Sequence, residues 1–264
     1  MSTKKYGLLG HPLGHSFSRS FHTERFARMG TDAVYENFDL PTIDRFPALI
    51  QNEPLLCGLN VTIPYKQQVM SFLDELSPMA ERIGAVNVIK VEHLSDEEAL
   101  EAGTHIRGVR LTGFNSDIVG FKQSLQPMID KVPKRPERAL VLGTGGASKA
   151  IRAGLEDFGI RPTSVSRMAH PKQGILAYED LTPEIMQRNL LIVNCTPLGM
   201  FPNVETCPAI PYELLTPEHI CFDIVYNPGE TLFMKKAAAR GAAVKCGQEM
   251  LEGQAIESYR LWTE

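Results

Sequence analysis

Short apolar runs separated by polar, glycine- and proline-marked segments recur along the whole chain, and their periods predict alternating strands and helices. KYGLLG reads as a strand, residues 18–29 as a helix closed by Gly30, AVYENFDL as a strand, 42–51 as a helix and LCGLNVTI as another strand. A helical stretch near 65–83 comes next, then the strands AVNVIKVEH and HIRGVRLTGF. The acidic SDEEALEAG between those two reads as a solvated hairpin excursion, which predicts an antiparallel edge on an otherwise parallel sheet. A helix from Asp117 to about Lys131 should leave this first lobe, and VPKRPER forms a proline-rich, basic approach to a second. Beyond it the pattern runs strand, helix (146–158, ending at Gly159), strand (PTSVSR), then LLIVNCTP, ICFDIVY and AAVKC as strands with helices between, and a last helix from Gln248 to about Trp262. That alternation predicts a doubly wound parallel sheet, so the fold class is α/β in two lobes, the second of Rossmann type.

Three segments carry candidate chemistry. NVTIPYK, Asn60 to Lys66, runs from strand-forming residues into Pro64, which cannot continue a ladder, so a strand end falls beside Tyr65 and Lys66. GFNSDIVG, Gly113 to Gly120, places Asn115 and Ser116 after an apolar strand and Asp117 at a helix opening. Each charged residue has a plainer reading: Lys66 as a solvated lysine, Asp117 as a carboxylate placed to suit a helix N-terminus. Together they form a pair whose pKa values burial and mutual charge can tune for proton exchange. In RALVLGTGGASKAI, Arg138 to Ile151, a strand enters a glycine turn and then an alanine-rich helix. Gly143 and Gly145 fit the first two places of the dinucleotide fingerprint, while Ser148 stands at the third in place of Gly or Ala. About twenty residues past the turn, where an NAD site carries an acidic residue, stand Ser166 and Arg167 with Lys172 close behind. Cations there favour a 2′-phosphate and hence NADP.

With these segments the chain resembles the shikimate dehydrogenase family almost end to end. GHPLGHSFS resembles its substrate-carboxylate motif, NVTIPYK and GAVNVI its ring-binding motifs, and GFNSD its Gly-x-Asn-Thr-Asp; NCTPLGM, DIVYNP and GQEMLEGQA match further motifs in order. The resemblance implies reversible NADP-dependent reduction of the ketone of 3-dehydroshikimate to shikimate, on the route to aromatic amino acids through chorismate. It implies that Lys66 exchanges a proton with the substrate oxygen and that Asp117 hydrogen-bonds the hydroxyl and orients the lysine. Ser16 and Ser18, helped by Tyr226, would bind the carboxylate, and Asn60, Thr62, Asn87 and Gln254 the ring side. Gly143, Thr144, Gly145, Gly146 and Ala147 would cradle pyrophosphate, Ser166, Arg167 and Lys172 would face the 2′-phosphate, and Ile224 and Gly247 would lie near nicotinamide. Taken one at a time, Ser16 and Ser18 could cap a helix, Asn87 could close a strand and Gln254 could face water. The resemblance also makes the substrate domain discontinuous, residues 1–117 with 248–264, around an NADP-binding domain at 118–247, with a cleft between the lobes that closes on the ligands.

Three departures bear on this reading. Arg19 stands where the family has proline after its second serine; Ser166, Arg167 and Met168 replace Asn-Arg-Thr; and Pro171 stands where a second basic residue is common, with Lys172 one step later. NAD therefore remains possible as cofactor, and a relative acting on quinate is the enzymatic alternative. A catalytically silent dinucleotide-binding regulator is the alternative from another class. Ser116 in place of threonine keeps the hydroxyl.

Composition narrows the partners. A chain of 264 residues with 43% hydrophobic content can bury a sizeable core. A net charge of −4 leaves no basic footprint for nucleic acid, and an anionic substrate must be held by local donors. No apolar run approaches the roughly 20 residues of a membrane span, and the apolar stretch in MSTKKYGLLG is too short for a signal peptide, so a cytoplasmic enzyme is expected, either monomer or homodimer. Cys57, Cys195, Cys207, Cys221 and Cys246 lack metal-ligand spacing and read as buried free thiols, with no metal expected. His11 and His15 flank the serine motif without the context of a catalytic histidine.

Overall fold

Runs of β-branched and leucine residues that bury both faces build two parallel-rich sheets in this chain. The computed structural model describes residues 3–14 and 17–264, with the backbone alone for Asp96, Leu100 and Ala102, and the chain divides into two units, Met1–Ser116 with Ala255–Glu264, and Asp117–Gln254. Both units are α/β, as the patterning predicts.

The first unit contains β1 (Lys4–Gly10), α1 (Phe17–Met29), β2 (Ala33–Asp39), α2 (Phe46–Asn52), β3 (Leu56–Val61), β4 (Glu75–Leu76), α3 (Pro78–Ile83), β5 (Val88–His93), α4 (Asp96–Ala102) and β6 (Val109–Phe114). Its sheet runs β2-β1-β3-β5-β6-β4. β1 is parallel to β2 and β3, whereas β5 is antiparallel to both β3 and β6. The reversed strand is thus interior and not the expected edge. Val88 and Ile89, successive residues on opposite faces, are both fully buried, and only a strand covered on both faces accommodates that.

Three further expectations are corrected, and a fourth gains a helix. The stretch 65–83 is no single helix: a 3-10 turn (Gln68–Phe72) is followed by β4 and then α3. The Asp74 carboxylate accepts hydrogen bonds from the backbone of Leu111 (2.7 Å) and His105 (2.7 Å), holding the chain against β6, and Ser77 caps α3 by accepting from Ala80 N (3.2 Å). The segment 42–51 divides into a 3-10 turn (Ile43–Arg45) and α2. SDEEALEAG does connect an antiparallel hairpin, β5 to β6, and within that connection it forms α4 through a capping box in which Ser95 Oγ accepts from Glu98 N (3.3 Å) and Glu98 Oε2 from Ser95 N (2.9 Å). In HIRGVRLTGF, Gly108 turns the chain at φ 80°, so the strand begins only at Val109.

The second unit contains α5 (Asp117–Lys131), β7 (Arg138–Leu142), α6 (Gly146–Asp157), β8 (Arg161–Ser166), β9 (Leu176–Ala177), α7 (Pro183–Arg188), β10 (Leu191–Asn194), β11 (Ile220–Asp223), α8 (Leu232–Ala238) and β12 (Ala243–Lys245). The sheet order is β12-β11-β10-β7-β8-β9, all parallel. Consecutive strands therefore grow outward on both sides of β7, the order of a Rossmann fold with its switch point between β7 and β10. Phe121, Leu125, Ile151 and Leu155 cover one face, and Met186, Phe233 and Ala237 cover the other.

The last helix, α9 (Gln248–Thr263), contributes residues to both units. Within the second, a Cβ at Gly120 would lie 2.3 Å from the Met250 carbonyl oxygen, so only glycine lets α5 and α9 approach this closely. Within the first, Trp262 stacks on Tyr6, donates to the Ile89 carbonyl (3.1 Å) and fills the space beside Gly58. All five cysteines are free, but only Cys221 is buried; Cys57, Cys195, Cys207 and Cys246 are partly exposed, because Cys57, Cys195 and Cys246 sit at strand ends and Cys207 in the loop after β10.

Candidate active site

In the first unit the candidate residues gather at the carboxyl ends of β1, β2 and β3. His11 N donates to the Ile63 carbonyl (3.1 Å), Thr62 N to that of Leu9 (2.9 Å) and Leu40 N to that of Gly10 (3.2 Å). Asp39 ties down the loop after β1 with both oxygens: Oδ1 meets His11 Nδ1 at 2.6 Å and Oδ2 accepts from Leu13 N at 2.9 Å. The Leu13 amide and then His11 hold its carboxyl below the ordinary range. Tyr65 Oη donates to the Leu40 carbonyl (2.5 Å), and Val86 N donates to the Lys66 carbonyl (2.7 Å), so the backbone bearing the half-buried Lys66 is anchored on both sides.

Asn60 and Asn87 project from adjoining antiparallel strand ends, and Val61 N donates to the Asn87 carbonyl (2.8 Å). Asn60 Oδ1 accepts from Tyr35 Oη (2.8 Å) and its Nδ2 donates to Ser258 Oγ (2.8 Å), which binds this carboxamide into the wall of the unit. Asn87 exchanges bonds with Ser116: Oδ1 accepts from Ser116 N (2.7 Å) and Nδ2 donates to Ser116 Oγ (3.0 Å). Ser18 occupies the first turn of α1 and is partly buried. Thr62 is partly buried with its methyl against Gly10. Ser16 and His15 lie outside the described residues. His11 is engaged by Asp39, as a loop anchor would be.

In the second unit the candidates sit where strands β7, β8 and β11 end. Gly143 has φ 103°, a conformation that L side chains rarely adopt, and its amide donates to the Val165 carbonyl (2.8 Å). Gly145 is the extended N-cap of α6, and the space its absent Cβ would face is open. Thr144 is exposed, and Gly146 and Ala147 open the helix with backbone N–H groups directed as an anion site needs. Ser148, the departure from the fingerprint, is buried and returns its hydroxyl to the Gly145 carbonyl (2.6 Å), which explains how serine fits. These features fit a dinucleotide pyrophosphate. At the end of β8, Ser166 spends its hydroxyl on the Met168 backbone, while Arg167 and Lys172 are exposed.

Ile224 N donates to the Asn194 carbonyl (3.1 Å) and Gly247 N to that of Val225 (3.0 Å); a Cβ at Gly247 would lie 2.1 Å from the Ile224 carbonyl oxygen. Tyr226 is half-buried, and burial pushes its phenol up. Asp117 is the buried first residue of α5, and Gln254 is buried on α9. Beneath this strand end the buried Asp223 carboxylate accepts from Asn194 Nδ2 (2.9 Å), Val225 N (3.0 Å) and Thr231 Oγ1 (2.6 Å). Among the described residues no group of three or more His, Cys, Asp or Glu could hold a metal ion, and no helix is long and apolar enough to cross a membrane.

Tyr35, Asp39 and Ser258 lie outside every matched motif, and Asp223 opens DIVYNP without having been read as a site residue. Ser258 also carried a signal, since it follows Gln254 by four residues and so shares its helix face.

The family model of the shikimate dehydrogenase substrate binding domain matches residues 8–89. The chain is 32% identical to the shikimate dehydrogenase (NADP(+)) of Caldicellulosiruptor saccharolyticus over 98% of this chain and 92% of that protein. It is 35% identical to the enzyme of the same name from Maridesulfovibrio salexigens, over 98% and 91%. Among solved structures, the shikimate 5-dehydrogenase of Thermus thermophilus in complex with NADP(H) and shikimate aligns with a TM-score of 0.79 at 31% identity, over 98% of this chain and 93% of that one. The quinate dehydrogenase of Corynebacterium glutamicum in complex with NAD aligns at 0.82 with 25% identity, over 99% and 94%. Identity above 30% along nearly the whole length, together with the motifs in their order, gives one answer: the chain belongs to the shikimate dehydrogenase family.

Proposed function

We propose that this protein catalyses the reversible reduction of 3-dehydroshikimate to shikimate with NADPH, a step of aromatic amino acid biosynthesis. The observation that carries the reading is the conjunction of near-full-length similarity to NADP(+) enzymes of that name with a Rossmann switch point carrying Gly143 at φ 103° and an open α6 N-terminus. In this reading residues 1–117 with 248–264 bind substrate and 118–247 bind cofactor.

The bound dinucleotide supplies the hydride to the ketone carbon. Lys66 gives a proton to the ketone oxygen in reduction and recovers one from the hydroxyl in oxidation, and Asp117 accepts a hydrogen bond from that hydroxyl and steadies the lysine's charge. Ser16, Ser18 and Tyr226 donate to the carboxylate. Asn60, Thr62, Asn87 and Gln254 face the ring, where uncharged amides and hydroxyls discriminate by the cost of leaving a buried partner unmatched. Gly143 to Ala147 hold the pyrophosphate, Ile224 and Gly247 adjoin the nicotinamide, and Arg167 with Lys172 hold the 2′-phosphate.

A quinate-active or NAD-using enzyme is the second reading. It is favoured by the similarity to the NAD-bound quinate dehydrogenase and by Ser166, whose hydroxyl is turned to its own loop. Steady-state assay of the purified protein with shikimate and quinate, each with NADP+ and NAD+, separates the two. The highest kcat/KM for shikimate with NADP+ is the expected result, and a higher value for quinate or NAD+ rejects it.

A further inference from the structure

A continuous line of buried side chains crosses the first unit beneath the residues assigned to the substrate. Tyr35 Oη donates to Asn60 Oδ1 (2.8 Å), and Asn60 Nδ2 donates to Ser258 Oγ (2.8 Å). The Ser258 and Ser116 hydroxyls are 3.2 Å apart, and Ser116 closes on the Asn87 carboxamide at 2.7 and 3.0 Å. Tyr35, Asn60, Asn87, Ser116 and Ser258 are all buried, the most accessible being Asn60 at 4%. The line begins at Tyr35, passes through Asn60, assigned to the ring side, and ends at Asn87, assigned to a ring hydroxyl.

Packing alone does not require this line. Phenylalanine at 35 and alanine at 258 would fill the same space without two buried hydroxyls that must be matched, and a polar chain in such a place is tolerable only when every member is satisfied. What the hydroxyls add is orientation. Tyr35 fixes which end of the Asn60 carboxamide faces β2, and Ser258 fixes the other end while buttressing the Ser116 hydroxyl that holds Asn87. The His22 imidazole stacks on the Tyr35 ring at 4.8 Å and 12°, and neither of its ring nitrogens has a hydrogen-bond partner among the described residues. Burial first, and the Arg25 charge second, push its pKa down to about 3, so it serves Tyr35 as a neutral flat surface.

We propose that Tyr35 on β2 and Ser258 on α9 are positioning residues for the substrate ring, acting through the buried line that joins Asn60, Ser116 and Asn87. The proposal rests on the function proposed above. Its test compares wild type, Tyr35→Phe and Ser258→Ala, the first nearly isosteric. In each variant the shikimate KM should rise roughly tenfold, with the NADP+ KM within roughly twofold and kcat reduced less than roughly threefold. A shikimate KM unchanged in Tyr35→Phe overturns the proposal, as does a fall in kcat with both KM values unchanged, since that reports only a smaller folded fraction. Calorimetric titration of shikimate into the same proteins makes the comparison without turnover. Wild type that binds shikimate but does not oxidise it rejects the proposed function, while tenfold weaker binding by the variants still supports positioning; a wild type that does not bind shikimate overturns both.

Discussion

Asp223 shows how surroundings alone reset a side chain. Its carboxylate is fully buried and accepts from three neutral donors, and burial, outweighing the Thr231, Val225 and Asn194 hydrogen bonds, raises its pKa from 3.8 to about 6. The folded chain thus holds this proton more tightly than the unfolded chain. The resulting stabilisation, up to about 3 kcal/mol, is complete below about pH 4 and is lost as pH rises through about 6. His22 acts in the opposite sense: its pKa of about 3 against an ordinary 6.5 means stability is lost as pH falls through that interval. Asp223→Asn keeps the oxygen that accepts from Asn194 and Val225, and Thr231 can turn to accept from the new amide. Thermal melts of this variant from pH 4 to 7 should therefore lack the fall that the aspartate contributes; melts that parallel wild type at every pH would contradict the assignment. At Lys66, removal of the ammonium by Lys66→Ala should lower kcat by roughly 10²–10⁴-fold, the range for a lost proton-transfer group. NADP+ binding, followed by fluorescence titration, should stay near wild type, and full retention of turnover would exclude Lys66 from the proton step.

Among the elements, the glycine turn between β7 and α6 is the most constrained by backbone geometry. A Cβ at Gly143 would combine φ 103° with contacts of 3.1 Å to Thr196 Cγ2 and 3.2 Å to the Cys195 carbonyl. Gly143→Ala should cost about 1–3 kcal/mol of stability and raise the NADP+ KM well above its effect on the shikimate KM, as melts and steady-state kinetics would measure. An equal rise in both would show that the turn does not serve the cofactor alone. The same turn was legible in the sequence because strand, glycines and helix are contiguous, and the strands β10 and β11 were legible because burial on both faces leaves an unbroken apolar run. Elsewhere local pattern misled. The position of β5 inside its sheet depends on pairing with β3 and β6, which no local period encodes, and the break within 65–83 depends on Asp74 reaching Leu111 across the sheet. The capping box of α4 was written in the sequence as Ser95-x-x-Glu98 but was outweighed by the acidity of the segment. Tyr35 and Ser258 carried no motif, since their role arises from contacts made far along the chain.

For the whole molecule, the division into two units predicts separable responses to the two ligands. NADP+ alone should slow amide exchange around 143–147 and the β8 end, and shikimate alone around 60–66 and 87, as hydrogen-exchange mass spectrometry would resolve. Protection by NADP+ confined to the unit with Lys66 would reverse the proposed domain roles. With a net charge of −4 the anionic ligands gain no help from the overall field, so their affinity depends on the local donors named above. The topology also bears on how the chain is made. Trp262 is wedged beside Gly58 and Tyr6, so the unit that is first to leave the ribosome is completed by segment 255–264, whereas the strands and helices of 117–254 are continuous in sequence. Domains otherwise tend to mature in the order of synthesis. In this chain the nascent N-terminal sheet must wait, with its Trp262 slot vacant, until the middle of the polypeptide has already been able to fold, and that waiting period is when it is most open to chaperones and to mispairing.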